Sequence, residues 1–217
     1  MLKKYIILLI VVLAAALIFW QSVTVKGLFF DATEFLSRYA QKEHQLAGVI
    51  VFIMLAALSA MLSPFSTTPL IPAAVLIWGV QITFYMLLGG WMLGAAITYA
   101  IGYYAGRPFL NLIFSYRTVE YYQNKLAKRT TFLNILLFRL ALPAEIPGYV
   151  LGIMKYNFTK YMLATGISEA IMAFLAIFAS NALLAEQKII FIITIALIFA
   201  IFAVTLYLFR NGKLIRK

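Results

Sequence analysis

The segment Phe132–Met154 reads FLNILLFRLALPAEIPGYVLGIM, an apolar run with Arg139, Pro143, Glu145 and Pro147 near its centre. A charged side chain at the middle of a bilayer costs about 2.5–3.5 kcal/mol on insertion scales, so a helix that served only as an anchor would not keep one. Proline breaks a helix, and irregular backbone at membrane depth is tolerated only where protein or water covers it. The segment therefore predicts a hairpin that enters and leaves the membrane on the same face.

The rest of the chain has the composition of an integral membrane protein. Of its 217 residues, 65% are hydrophobic and 12% are charged, and the mean hydropathy is +0.97. A soluble globular protein is excluded, because its apolar share would be about 45–50%. The net charge of +11 comes from basic residues between apolar runs, which indicates contact with anionic lipid headgroups and not with nucleic acid.

The chain lacks the residues of common cofactor and metal sites. It has no cysteine and a single histidine, His44, which excludes disulfides, thiolate nucleophiles and metal sites built from cysteine or histidine clusters. No nucleophile elbow, phosphate loop, HExxH motif or dinucleotide fingerprint occurs. We therefore predict a non-enzymatic protein with no cofactor and no metal site, and an enzyme acting on lipid headgroups is the weakest function considered.

Two helices are predicted in the N-terminal region. Residues 1–28 are predicted to form a transmembrane helix, with the basic start Met1–Lys4 followed by the apolar run Tyr5–Trp20. A cleaved signal peptide is the alternative, but no small-x-small cleavage site follows the run. Residues 29–45 are predicted to form a short amphipathic helix in the membrane interface, with an ordinary polar loop helix as the alternative.

Residues 46–185 form the predicted all-α membrane core. The stretch 45–106 contains no Asp, Glu, Lys or Arg and is long enough for roughly three crossings. It divides into Leu46–Leu62, a proline-rich piece Ser63–Gly79, and Thr83–Ala105. The middle piece is either a short tilted span or a re-entrant loop near residues 63–79, and the second re-entrant segment is the one at 132–154.

Two further spans complete the predicted helical bundle. Tyr161–Ala185 is a span that carries Glu169, and Ile189–Phe209 is an apolar span without charge. The latter lies within residues 186–217, which we interpret as a C-terminal transmembrane helix and basic tail.

The distribution of lysine and arginine predicts the orientation. With the N-terminus, the 107–131 loop, the 155–160 turn and the tail in the cytoplasm, that side holds thirteen of the eighteen basic residues. This arrangement needs an odd number of crossings between residues 45 and 106, and none between 131 and 155. If 63–79 is re-entrant while both flanking pieces cross, the 107–131 loop moves to the outside.

Small residues recur every four positions on the Thr83–Ala105 helix. Such a stripe lets another backbone approach closely, which predicts helix packing and, more specifically, contact with the broken segments. Gly148 and Gly152 repeat the spacing in the second re-entrant segment. The members of the main stripe are Gly90, Gly94, Thr98, Gly102 and Gly106.

Arg139 is the strongest candidate for binding a substrate. Pro143 and Pro147 break the helix beside it, so two half-helices could direct their N-terminal N–H groups at an anion. The guanidinium could then hold a phosphate or carboxylate through two hydrogen bonds. The alternative is an ion pair with Glu145 or Glu169 that only neutralises charge, and such a pair could also act as a gate.

Two more charged residues have open interpretations. Glu169 is either a proton carrier or a counter-charge within its span. Arg107 ends the glycine-striped helix, where it either recruits anionic lipid or extends its side chain to the headgroups.

Two blocks of sequence resemble the DedA and VTT-domain membrane proteins, also called SNARE-associated Golgi protein-like. Together they cover roughly residues 60–170, and each departs slightly from the family pattern, in the position of its arginine or in the spacing of its prolines. The first block is Gly90-x3-Gly94-x4-Tyr99-x2-Gly102-x3-Gly106-Arg107. The second is Phe138-Arg139-x3-Pro143-x3-Pro147, followed by Gly152 and Phe158.

The resemblance implies a small helical bundle that contains two facing re-entrant hairpins. It also implies scrambling or flipping of phospholipids or polyprenyl phosphates, in some members coupled to protons or sodium. By match, Arg107 and Arg139 are the arginines of the first and second blocks. Residues 63–68 lack the acid that proton-linked bacterial members carry in the first hairpin, so coupling would depend on Glu145 or Glu169.

We therefore expect a multi-pass lipid flippase or scramblase in a prokaryotic inner membrane, with its substrate phosphate on Arg139. A small-solute or ion transporter that uses the same site is one alternative. A non-transporting, membrane-organising protein is another, and in that case the small-residue stripe would serve contacts within a homo-oligomer.

Overall fold

A computed structural model describes residues 31, 34–36, 45–62, 67–113, 126, 131–142 and 145–211, without the side chains of 45, 106–113 and 210–211. The described part is all-helical and has no strands, which confirms the predicted all-α class, whereas the re-entrant hairpins and the amphipathic helix stay predictions. The predicted helix at 1–28, most of 29–45, Pro143 and the basic tail lie outside the described residues. The helices are α1 (Gln45–Met61), α2 (Leu70–Ile113), α3 (Phe132–Ala141), α4 (Glu145–Ile153), α5 (Phe158–Leu184) and α6 (Lys188–Asn211).

Three helices of the described part are long and apolar enough to cross a membrane: Leu70–Ala105, Phe158–Leu184 and Lys188–Phe209. The first has 36 residues, which as a straight helix would extend about 54 Å, well beyond a hydrocarbon core of about 30 Å. Gly79, inside this helix, has φ +77°, a left-handed conformation that interrupts regular α-helical geometry. The helix therefore cannot be one straight span.

The part of α2 before Gly79 runs antiparallel to α1. The hydroxyls of Ser59 and Thr67 share a hydrogen bond of 3.1 Å, and eleven residues further on the ring of Trp78 lies 6.0 Å from that of Phe52. A later residue of this segment therefore contacts an earlier residue of α1. Residues 67–78 therefore return along α1.

The part of α2 after Gly79 runs in the opposite sense, parallel to α1. Gly90 lies against Ile53 and Ala56, and Gly94 lies one turn further along, against Ala57 and Ala60. The chain thus reverses at Gly79. We call α1 and Leu70–Trp78 the first helix pair.

This pairing relates the predicted pieces of residues 45–106 to one another. The sequence analysis divides the stretch into Leu46–Leu62, Ser63–Gly79 and Thr83–Ala105. In the structure α1 ends at Met61 and the chain reverses at Gly79, so the breaks fall close to the predicted boundaries. Whether the first two pieces cross the membrane or re-enter stays a prediction, because uniformly apolar sequence gives no sign of where an arm ends and a crossing begins.

The chain also reverses between α3 and α4. Leu142 is extended, with φ −133° and ψ 154°, as expected for a residue that precedes proline, and it ends α3. α3 runs antiparallel to α6, since the rings of Phe138 and Phe209 lie 5.4 Å apart and Thr205 Oγ1 donates to the carbonyl of Leu140 at 3.3 Å. We call α3 and α4 the second helix pair.

The direction of α4 follows from its contacts with α2. Gly148 lies against Thr98, and Gly152 lies against Tyr103, so the two helices are parallel. α5 is antiparallel to α2, because the Tyr161 hydroxyl at its start donates to the carbonyl of Ala95 at 3.0 Å while its later residues pack near the start of the span. The short turn after α5 makes α6 antiparallel to α5 and so parallel to α2 and α4. α3 is therefore antiparallel to α4, and the two helix pairs extend from opposite ends of the bundle.

Candidate functional site

The tips of the two helix pairs meet at a cavity of about 330 Å³. The first pair contributes its last turn on α1 and the two threonines that precede α2. The second pair contributes the end of α3 and the start of α4, and α2, α5 and α6 complete the wall. The lining residues are Ser59, Ala60, Thr67, Thr68, Trp91, Arg139, Leu140, Leu142, Glu145, Ser168, Glu169, Met172 and Phe202.

This cavity lies near the middle of the membrane-spanning helices. Glu169 follows the start of α5 by eleven residues, or about 17 Å, in a helix of 27 residues. Trp91 is the twelfth residue after Gly79 on the span of α2, and Phe202 is the fifteenth of the 24 residues of α6. All three spanning helices therefore present central residues to the cavity.

Arg139 and Glu169 form a buried ion pair in the cavity wall. The Arg139 Nη2 donates to Glu169 Oε1, and the two residues are 4% and 7% exposed. The guanidinium carbon also lies 5.7 Å from the centre of the Tyr161 ring, within the range of a cation–π interaction. Of the two partners that the sequence analysis left open for Arg139, the structure places Glu169 in contact.

Glu145 lies in the same wall without a charged partner among the described residues. It is the first residue of α4 and is only 4% exposed. It lies in the first turn of α4, near the helix end where the backbone carries partial positive charge. The predicted binding of an anion by this N-terminus stays a prediction, and Glu145 is the acidic residue in its first turn.

Hydroxyl groups form the remaining polar surface, and the sequence analysis missed them. Ser59, Thr67 and Thr68 come from the tip of the first helix pair, and Ser168 precedes Glu169 on α5. Serine and threonine in apolar helices commonly bond to their own backbone, as Ser59 does to the carbonyl of Ala56 at 2.8 Å. Their sequence pattern therefore gives no signal that distinguishes a cavity residue from a helix residue.

A family model described as the VTT domain matches residues 62–182, more than half of the chain. The chain belongs to the VTT-domain family, that of the DedA and SNARE-associated Golgi protein-like proteins. The resemblance seen in the sequence is therefore confirmed, and the protein is an integral membrane protein. No curated protein and no solved structure matches the chain.

The VTT domain includes every residue of the cavity wall except Ser59, Ala60 and Phe202. The family is one of generally non-enzymatic membrane proteins, often linked to the transport of lipids or small solutes. In the described part of the chain, no group of three or more His, Cys, Asp or Glu residues could hold a metal ion. The charged groups that line the cavity are the guanidinium of Arg139 and the carboxylates of Glu145 and Glu169.

The other predicted site residues of the VTT domain lie in three places. Pro147 is buried on α4, whereas Pro143 lies outside the described residues. Arg107 belongs to α2, and its backbone lies sixteen residues beyond Trp91, or about 24 Å along the helix. The structure therefore brings Arg139, Glu145 and Glu169 together at the cavity and leaves Arg107 near the end of the bundle.

The predicted packing glycines of the VTT domain divide between the two helix pairs. Gly90 and Gly94 lie against α1, while Gly102 lies against Tyr149 of α4. From the α4 side, Gly148 and Gly152 contact α2, and Gly106 lies on α2 beyond the last described side chains. One helix face thus holds both helix pairs against the same span.

Proposed function

We propose that the protein moves lipid headgroups across the bilayer through the cavity between two re-entrant hairpins. One observation carries this proposal: a buried guanidinium and two buried carboxylates line a cavity at the middle of the spanning helices, where the tips of two opposed helix pairs meet. Ionisable groups at this depth are expensive and typically mark a substrate or ion pathway.

The lengths of the arms support a re-entrant arrangement. α3 has ten residues and α4 has nine, which correspond to about 15 Å and 14 Å, roughly half of a hydrocarbon core of about 30 Å. The arm Leu70–Trp78 has a similar length. These three arms are short enough to reach the bilayer centre without crossing it, whereas α1, the other arm of the first pair, has 17 residues or about 26 Å.

Within this proposal Arg139 exchanges partners. Its guanidinium is held by Glu169 when the site is empty, and a lipid phosphate entering the cavity takes the place of that carboxylate. Bidentate hydrogen bonds suit both partners, since guanidinium matches carboxylate and phosphate geometry alike. The acyl chains stay in the surrounding lipid, because only the headgroup needs a polar path.

The double variant Arg139→Gln/Glu169→Gln tests this function. It keeps side-chain volumes close to the original ones and removes both charges of the ion pair together, so neither is left without its partner and the fold should persist. We expect movement of a tail-labelled fluorescent phospholipid in proteoliposomes, followed by dithionite quenching, to slow roughly tenfold or more, the equivalent of one lost charged hydrogen bond. The matched control is Lys160→Gln, which removes one exposed charge from α5.

The outcome separates lipid movement from its alternatives. A wild-type rate in the double variant would remove the ion pair from the mechanism. Flux of a trapped small solute through the wild-type protein, without lipid movement, would instead support a solute transporter. A protein that moves neither lipid nor solute would fit the membrane-organising role.

A further inference from the structure

The fixed charges around the cavity do not balance. Arg139 and Glu169 neutralise each other, and Glu145 remains as a second carboxylate. We infer that Glu145 binds the ammonium group of the transported lipid, so that the site selects phospholipids with an ethanolamine or choline headgroup over lipids that are only anionic. This inference rests on the proposed function and names the substrate class of the same site.

Glu145 is buried, so a negative charge on its side chain is energetically costly unless a positive charge lies beside it. The residue is only 4% exposed, and among the described residues no salt bridge to it occurs. The undescribed residues 63–66 and 143–144 have no ionisable side chain in the sequence. A carboxylate taken out of water in this way requires a counter-charge or a proton, and the cavity beside it is the place where a counter-charge can enter.

The backbone at the tips adds negative potential. α3 ends at Ala141 beside the cavity, and the last carbonyls of a helix carry partial negative charge. α1 likewise ends at Met61, near the tip of the first helix pair. The N-terminus of α4 is the opposite pole, but Glu145 itself occupies it. Apart from Arg139 and the N-terminus of α4, the charged groups and helix ends at this wall therefore repel a group that carries only negative charge.

The remaining lining fits an ammonium group. Trp91 lines the same cavity, and the face of a tryptophan ring is the best aromatic partner for a cation, including the quaternary ammonium of choline. The hydroxyl oxygens of Ser59, Thr67 and Ser168 can accept hydrogen bonds from a primary ammonium. The volume of about 330 Å³ is at the lower end of small-molecule sites, about 300–1,000 Å³, and suits a headgroup better than a whole lipid.

A zwitterionic headgroup also satisfies both halves of the site at once. Its phosphate approaches Arg139 while its ammonium approaches Glu145, so the occupied cavity contains two positive and three negative formal charges when Glu169 is included, and its net charge of −1 is the same as that of the empty cavity. A purely anionic phosphate would leave the same cavity with a formal charge of at least −2. The difference in electrostatic energy between these two occupied states is large at membrane depth, where charges are poorly screened.

Selectivity is measured with tail-labelled phosphatidylethanolamine, phosphatidylcholine, phosphatidylglycerol and phosphatidic acid in otherwise identical proteoliposomes. We expect the wild-type protein to move the two ammonium-bearing lipids roughly tenfold or more faster than the two anionic ones. Glu145→Gln should remove this preference by slowing the ammonium-bearing lipids, whereas Glu186→Gln, a change at an exposed carboxylate after α5, should preserve it.

Each result has a defined meaning. If the wild-type protein moves no lipid, the proposed function fails. If it moves all four lipids equally, or if Glu145→Gln slows all of them equally, transport stands and the inference about Glu145 is overturned. The same holds if Glu145→Gln keeps the preference and loses only a dependence on protons or sodium, because the carboxylate would then carry an ion. The wild-type comparison decides the matter even if the variant does not fold.

Discussion

Arg139→Ala is expected to destabilise the protein by about 3–5 kcal/mol, the usual range when one partner of a buried ion pair is removed. The physical reason is the charge left behind: Glu169 is 7% exposed and would lose the guanidinium that contacts it. The Tyr161 ring would also lose the cation that lies 5.7 Å from its centre. Thermal unfolding of the purified protein in one fixed detergent measures the effect.

Comparison with the double variant isolates the ion pair. Arg139→Ala/Glu169→Ala removes both members of the ion pair, so Glu169 is not left charged without its partner. The double variant should therefore be more stable than Arg139→Ala alone, even though it removes more atoms. A double-mutant cycle over the wild-type protein, Arg139→Ala, Glu169→Ala and the double variant then gives the coupling energy between the two side chains. If the double variant were the least stable and the two effects simply added, the two side chains would not depend on each other, and the contact between them would be energetically unimportant.

The second helix pair could be predicted from the sequence because it contains residues that are energetically unfavourable in a membrane helix. An arginine, a glutamate and two prolines within an apolar run have few explanations other than a covered break in the helix. The choice of partner for Arg139 could not be predicted in the same way. Glu145 lies six residues away and Glu169 thirty, and only the reversal after Leu142 and the course of α5 determine which carboxylate is adjacent.

The first helix pair was harder to predict for the opposite reason. α1 is uniformly apolar over 17 residues, a length close to that of a crossing, so composition does not distinguish an arm from a span. Gly79 makes the reversal possible through its positive φ, but in the sequence it is one glycine among twelve. The stripe that begins at Gly90 predicted close packing without naming the partner, because spacing describes one surface and not the surface that meets it.

Gly152→Ala and Gly94→Ala are expected to destabilise the protein by about 1–3 kcal/mol each, as overpacking usually does. A Cβ on Gly152 would meet the Tyr99 carbonyl oxygen and lie 2.9 Å from the Tyr103 nitrogen, and one on Gly94 would meet the Ala57 carbonyl oxygen. Backbone atoms cannot rotate away as a side chain can. Each variant must therefore push one helix pair away from α2, and unfolding measurements in a single detergent record the loss.

Gly89→Ala is the matched control, because it makes the same chemical change next to the stripe. A Cβ on Gly89 would meet nothing within 4 Å, and alanine is favoured over glycine in a helix by about 1 kcal/mol, so this variant should be neutral or slightly stabilised. Gly152→Ala should also slow lipid movement, since α4 carries Glu145 and displacing the helix displaces the carboxylate. Equal stability of all three variants would mean that the helix pairs do not rest on the glycine face of α2, and the arrangement of the cavity wall would have to be different.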